Sequence, residues 1–314
     1  MAPTHRPEPF DPGLRAARWI PPVSVSKRLL PVFRGAPTPM RSTAEVTVAE
    51  LPLRVAGGEL TYRVFRPVRP SGVDGALFWI HGGGLVGGSP QQDDATNLGI
   101  ARELGITVIA AAYRLAPEHP APAALDDLAE GFRAVLGRAD EFGFDPERVV
   151  LGGASAGAGL GAALCQRLHD EGGPEPVFQL LVYPMLDDRT VLRRDIDLRH
   201  VRAWTAKSNR FGWESHLDGP AGAADVPPYA VPARREDLSG LPPAWIGVGS
   251  LDLFHDEDLA YADRLQAAGV PCEVLVVPGA FHGFDAIFRK ADVTRRFHAE
   301  WIRVIGAALG EHAS

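Results

Sequence analysis

Cysteine is nearly absent from this sequence: Cys165 and Cys272 stand far apart, each within an apolar segment. Two distant thiols exclude a disulfide framework and a cysteine-based metal site, and they predict reduced, packed side chains in a cytoplasmic setting. Apolar runs of the ~18 residues that a membrane-spanning helix needs are also missing. The stretch MAPTHRPEPFDPGLRAARW lacks the apolar centre of a secretory signal. Nor is there an excess of positive charge. A formal net charge of −7 provides no electrostatic footprint for nucleic acid or for an acidic membrane. Lysine is scarce beside arginine, a balance without functional content. No internal repeat interrupts the chain, and no motif asks for a cofactor or a metal.

What is present is an ordinary globular composition, 46% hydrophobic and 23% charged over 314 residues, long for one domain without being clearly two. Residues 1–44 are rich in proline and arginine, with one amphipathic piece from Leu14 to Ile20. Alternation over Val46–Val55 and Leu60–Phe65, around Gly57-Gly58, predicts a hairpin. Apolar strands are then expected at Ala76–Ile80, Thr107–Tyr113, Val149–Leu151, Phe178–Tyr183, Ala244–Gly249 and Glu273–Val277. Between them, helices are expected over Ala95–Leu104, Ala123–Phe142, Leu160–Leu168, Asp256–Ala268 and Val293–Leu309. Such alternation predicts a mostly parallel sheet with helices on both faces and its strand-to-helix loops along one edge. The charged and aromatic stretch 187–228 reads as an insertion into that framework. Glu273–Val277 is a candidate edge strand through which a homodimer could pair.

The sequence RVVLGGASAGAGLG at Arg148–Gly161 passes from strand through a sharp turn to helix, with Ser155 at the apex of Gly153-Ala154-Ser155-Ala156-Gly157. A hydroxyl needs an adjacent base to become a nucleophile. Of the histidines, His81 opens a glycine-rich turn, His119 is held between Glu118 and Pro120, and His255 starts a helix, while His200 lies in the insertion. His282 follows the last strand and is therefore the expected base. A carboxylate must orient that base. Asp252 follows Ala244–Gly249 by a tight turn, whereas Asp256, Glu257 and Asp258 are explained as acidic residues in the first turn of a helix. The N–H groups of Ala156, Gly83 and Gly84 are the expected donors to an oxyanion. The last two belong to His81-Gly82-Gly83-Gly84, which ends a strand.

Together with Tyr113-Arg114-Leu115-Ala116-Pro117-Glu118-His119-Pro120, Asp126-Asp127 and His282-Gly283-Phe284, these motifs resemble the bacterial hormone-sensitive-lipase family of carboxylesterases over about residues 60 to 310. The resemblance implies an α/β-hydrolase core, residues 45–186 and 229–314, under a helical cap made of 1–44 and 187–228. It also implies cofactor-free ester hydrolysis, in the chain order Ser155, Asp252, His282, with Tyr113–Pro120 as a structural brace. The sequence departs from the family at Ala154, where Asp or Thr is more usual, at Ala158, and at Leu253. Leu85, in place of an aromatic, alters the expected pocket wall. In the cap, Trp204, Phe211 and Trp213 sit among Arg189, Arg193, Arg194, Arg199, Arg202 and Arg210, with Asp195 and Asp197. Packing aromatics and one solvated helix face explain that set, with Phe211 or Trp213 as candidate pocket residues. The expected substrate is a small to medium uncharged ester. An amide or formamide hydrolase, or a lactonase, would use the same groups, and a catalytically silent ligand receptor is the rival from another class.

Overall fold

The expected hairpin forms from β1 (Val46–Val55) and β2 (Gly58–Pro67), paired antiparallel from Val46 opposite Pro67 to Val55 opposite Gly58. The structure, a computed structural model, describes residues 10–35 and 39–310. Six further strands complete one sheet: β3 (Ala76–Ile80), β4 (Thr107–Ala111), β5 (Val149–Ala154), β6 (Phe178–Val182), β7 (Ala244–Gly249) and β8 (Cys272–Val277). Their spatial order is β1-β2-β4-β3-β5-β6-β7-β8. From β4 onward every neighbouring pair is parallel, so all the strand-to-helix loops open on one edge.

The helices are α1 (Leu30–Phe33), α2 (Asp94–Leu104), α3 (Ala123–Leu136), α4 (Ala139–Phe142), α5 (Ala156–Asp170), α6 (Ala206–Leu217), α7 (His255–Ala267), α8 (Phe284–Ile287) and α9 (Asp292–Gly310). Strand side chains alternate between the two faces. Phe78 and Ile80 of β3 enter a core with Phe132 of α3 and Leu164 of α5. Leu77 and Trp79 enter another with Leu98 of α2 and Phe297 and Trp301 of α9. Each such buried side chain contributes ~1.5–3 kcal/mol, and together they fix the sheet edge on which the loops converge.

Several expected boundaries move, and β5, expected to end at Leu151, runs on to Ala154. The single helix over Ala123–Phe142 is two helices, because the chain turns at Gly137 and Arg138 before resuming as α4. The helix expected from Leu160 begins at Ala156, directly after the serine. The strand expected to reach Tyr113 ends at Ala111, and Tyr113 turns back to stack on His81 at 4.3 Å.

Above the sheet edge, residues 10–35 lie against the insertion. Ser24 Oγ meets Thr205 Oγ1 at 2.8 Å, the Val25 amide donates to Ser208 Oγ, and Arg202 donates to the Ala17 carbonyl. Residues 1–9 and 36–38 of the expected cap lie outside the described residues. The amphipathic piece forms a 3-10 turn, Pro12–Trp19, with Leu14 and Ala17 buried. The insertion is not one charged helix face. Arg189 and Arg199 lie in separate 3-10 turns, Asp188–Leu192 and Leu198–His200, and pair locally with Asp187 and Asp197, while Arg193 pairs with Asp195 and Asp256. Arg210 alone of the arginines named for that face stands on α6, where it pairs with Glu214.

Candidate active site

Ser155 sits between β5 and α5 with φ +56° and ψ −122°, a conformation that L residues avoid and that persists only where packing over-determines it. Its backbone is fixed on three sides: its amide donates to Val182, and its carbonyl accepts from Met185 and Gly159. The glycines around it are required by close approach. A Cβ on Gly157 would lie well inside contact of the Ile80 and His81 carbonyl oxygens, and one on Gly153 would meet the Gly157 backbone at 2.7 Å.

Three of the expected residues, one each from the ends of β5, β7 and β8, come together. Ser155 Oγ lies 2.9 Å from His282 Nε2, and His282 Nδ1 lies 2.9 Å from Asp252 Oδ2. Asp252 Oδ1 also accepts the Phe254 amide at 3.0 Å, which fixes the carboxylate plane. All three side chains are buried, and the imidazole is bracketed edge-on by Phe254 and Tyr183. A nucleophile, a base within hydrogen-bond reach and an orienting carboxylate form the minimum set for acyl transfer.

The glycine turn after β3 lies beside Ser155, for a Cβ on Gly82 would stand 3.4 Å from the serine Cβ. Gly83 and Gly84 have φ of +131° and +60°, and among the described residues no acceptor takes either amide. The Ala156 amide opens α5, where helix geometry leaves donors without an internal partner. Leu85, at φ +68°, is buried beside this turn. His81 is not part of the polar chain: burial pushes its imidazole down to about 4, against the hydrogen bond to the Gly82 carbonyl. The Tyr113–Pro120 run does brace the turn. The Tyr113 hydroxyl donates to the His81 carbonyl at 2.8 Å, and the Ala116 amide donates to Leu85.

Of the cap aromatics, Trp213 is buried in the main core, and Phe211 packs toward Leu30, Val86 and Ala116. The aromatic that covers the glycine turn is Trp204. Its ring occupies the space that a Cβ on Gly84 would need, and Gly212 of α6 approaches the Gly84 carbonyl so closely that a Cβ there would stand 2.7 Å away. Ala203, just before Trp204, is another non-glycine residue with positive φ, at +62°. Nothing in the sequence distinguishes Trp204 from its neighbours, since the contact depends on how the cap folds back.

The acidic group after Asp252 is not the uniform helix-start cluster expected. Asp256 is exposed and pairs with Arg193, but Glu257 and Asp258 are buried. Glu257 accepts the Leu186 and Asp187 amides and the Thr190 hydroxyl, and burial pushes it up to about 8. Burial pushes Asp258 well above the usual carboxylate range, with Glu257 and Asp252 adding to the effect.

A serine at a strand-turn-helix apex, on the loop edge of a mostly parallel sheet, defines an α/β hydrolase. The sequence profile of the alpha/beta hydrolase fold matches residues 77–286. The carboxylic ester hydrolase LipN of Mycobacterium tuberculosis is 37% identical over 78% of this chain and 66% of its own length. The esterase LipI of the same organism is 35% identical over 76% of this chain and 75% of its own. A bacterial heroin esterase superposes with a TM-score of 0.85 at 33% identity, covering 96% of this chain and 98% of that one. The chain belongs to the α/β-hydrolase family, in the hormone-sensitive-lipase branch that its motifs resemble. Among the described residues no helix is long and apolar enough to cross a membrane, and no group of acidic, histidine and cysteine side chains is placed to hold a metal.

Proposed function

We propose that this chain is a serine carboxylesterase that hydrolyses small to medium uncharged esters through an acyl-enzyme. The observation that carries the reading is the continuous hydrogen-bond chain from Ser155 Oγ through His282 to Asp252. His282 Nε2 takes the Ser155 proton as Oγ attacks the ester carbonyl. The amides of Gly83, Gly84 and Ala156 hold the resulting oxyanion. His282 then gives its proton to the departing alkoxide, leaving Ser155 acylated. Water attacks the acyl group with His282 again taking a proton, and the acid departs as the proton returns to Ser155. Asp252 keeps the imidazole oriented and stabilises its charged form throughout.

Residues 1–44 and 187–228 act as the cap over this site, with Leu85 and the cap aromatics as its apolar wall. Trp204 has the best support for that role, through its contact with Gly84, ahead of Phe211 and Trp213. The names of LipN and LipI favour esters over amides, formamides or lactones as substrates. A homodimer through β8 is compatible with its place at the margin of the sheet.

The test is hydrolysis of a p-nitrophenyl ester series from acetate to palmitate by wild type and Ser155→Ala. The variant is expected to lose several orders of magnitude in kcat, on the scale of ~10⁴ or more. The preferred acyl length in wild type then measures the pocket. Turnover that survives in the variant would remove Ser155 from the chemistry.

A further inference from the structure

Beside His282 lies a polar chain that the acyl-transfer scheme does not use. The Tyr183 ring meets the His282 ring edge to face at 4.8 Å, and its hydroxyl donates to Asp285 Oδ1 at 2.9 Å. Asp285 Oδ2 lies 3.1 Å from His298 Nε2 on α9. Tyr183 and Asp285 are about 5% exposed, whereas the His298 side chain, 34% exposed, brings the chain out to solvent. There it borders a cavity of about 310 Å³, which Ala154, the residue before the nucleophile, also lines.

Tyr183 is strained. Its φ is +35°, an unfavourable value for a bulky L residue. Such conformations persist where their surroundings over-determine them, and they cluster at functional sites. Here the ring is clamped between His282 and Phe297, stacked at 6.4 Å, while Asp285 holds the hydroxyl and the Tyr183 amide donates to Gly247. The side chain therefore has one orientation and gives the His282 ring a fixed wall.

We propose that Tyr183 is a positioning residue for His282, anchored through Asp285 to His298, and that the Asp285 carboxylate stabilises the imidazolium that His282 becomes in each step. The inference rests on His282 being the general base. Asp285 stands one phenol ring from the imidazole, close enough for its charge to be felt at a buried site. The other charged groups of this neighbourhood are Asp252 after β7, Asp93 after β3 and Arg289 after α8, with Arg102 and Glu103 of α2 farther round the cavity. Burial pushes Asp93 up to about 6, so it contributes less negative charge than a free carboxylate at the lower end of the working pH range.

Asp285→Asn retains an acceptor for Tyr183, removes the charge and places an amide NH2 group toward His298. A negative neighbour favours the charged form of an imidazole, and its removal favours the neutral form. The acid limb of kcat/KM, which reports the base in the free enzyme, is expected to move to lower pH by roughly half a unit, with kcat at the optimum reduced about three- to tenfold. Tyr183→Phe keeps the ring and cuts its anchor. It is expected to lower kcat about two- to fivefold with KM within about twofold and an unchanged fluorophosphonate titre of Ser155. Wild-type kcat and acid limb in both variants would overturn the proposal, as would a lower Tm in Asp285→Asn with its acid limb unmoved. Should Asp285→Asn fail to fold, Tyr183→Phe decides through its kcat and KM. Ser155→Ala, assayed alongside, separates failure of this inference from failure of the esterase reading, because only the latter leaves that variant active.

Discussion

The loop edge of the sheet and the segments that lie over it, residues 10–35 and 187–228, are held in place differently. At the edge, backbone meets backbone: Gly157 sits against the carbonyls of β3 and His81, and Ser155 is hydrogen-bonded to Val182, Met185 and Gly159. Strands buried on both faces stand behind these contacts. The segments above it are held by side chains instead: Val191, Val201, Trp204 and Trp213 join the main core, and separate polar ties add to them. Asp188, fully buried, takes a bidentate pair from Arg234 and the amide of Gly222. Glu257 holds the start of the insertion, and Ser24 with Val25 ties the N-terminal segment to the loop before α6. Close-packed backbone resists displacement of a few tenths of an ångström, whereas side chains at a seam can re-settle by changing rotamer.

The comparison breaks hardest at Gly157. A methyl group there meets carbonyl oxygens of the backbone, which cannot rotate away as a side chain would. Gly157→Ala is therefore expected to cost on the order of 3 kcal/mol of stability and to lower kcat by at least about a hundredfold, since the elbow must open to accommodate it. Thermal melting together with ester turnover checks this. A variant with wild-type activity would mean that the elbow is more pliable than its packing implies.

A smaller effect is expected where the cap touches the edge. Gly212→Ala places a methyl 2.7 Å from the Gly84 carbonyl, with Trp204 and Met185 at 3.4 and 3.5 Å. Because α6 is not hydrogen-bonded into the sheet, it can shift where β3, paired on both sides, cannot. We expect stability within ~1 kcal/mol of wild type, a fall in kcat of about tenfold from a displaced Gly84 amide, and a changed acyl-length preference. Unchanged kcat and acyl preference would show that the cap does not press on the glycine turn.

The two regions also differ in how far they are legible before folding. Ser155, His282 and Asp252 can be read because each lies just beyond a recognisable apolar strand, and parallel strands bring such positions to one edge. Gly83 and Gly84 are marked in the same way. Trp204 and Glu257 cannot be read so. Trp204 is one aromatic among three, and it acts through a fold of the insertion that has little periodicity of its own. Glu257 has the pattern of a helix-start acid, and only the packing of residues 186–190 against α7 turns it into a buried anchor. Tyr183 reads merely as the end of β6. Its partner Asp285 is 102 residues away, and the strain at its backbone leaves no trace in residue identity.

An effect read against pH separates the polar ties of the insertion from ordinary ion pairs. Burial pushes Glu257 up to about 8, so the folded chain holds a proton there that the unfolded chain, near the usual value of 4.5, has released. Its contribution to stability is thus fully present below the unfolded value and is lost as pH rises through about 8. Glu257→Gln keeps an acceptor for the Leu186 and Asp187 amides and does not titrate. Relative to wild type it is expected to gain stability as pH is raised from about 5 to about 8, by at most ~1.4 kcal/mol per pH unit. Melting both proteins across that range reads the difference directly. A gap that stays constant would mean that the three donors around Glu257 hold it ionised in the folded chain, making the anchor of the insertion a charge-assisted one.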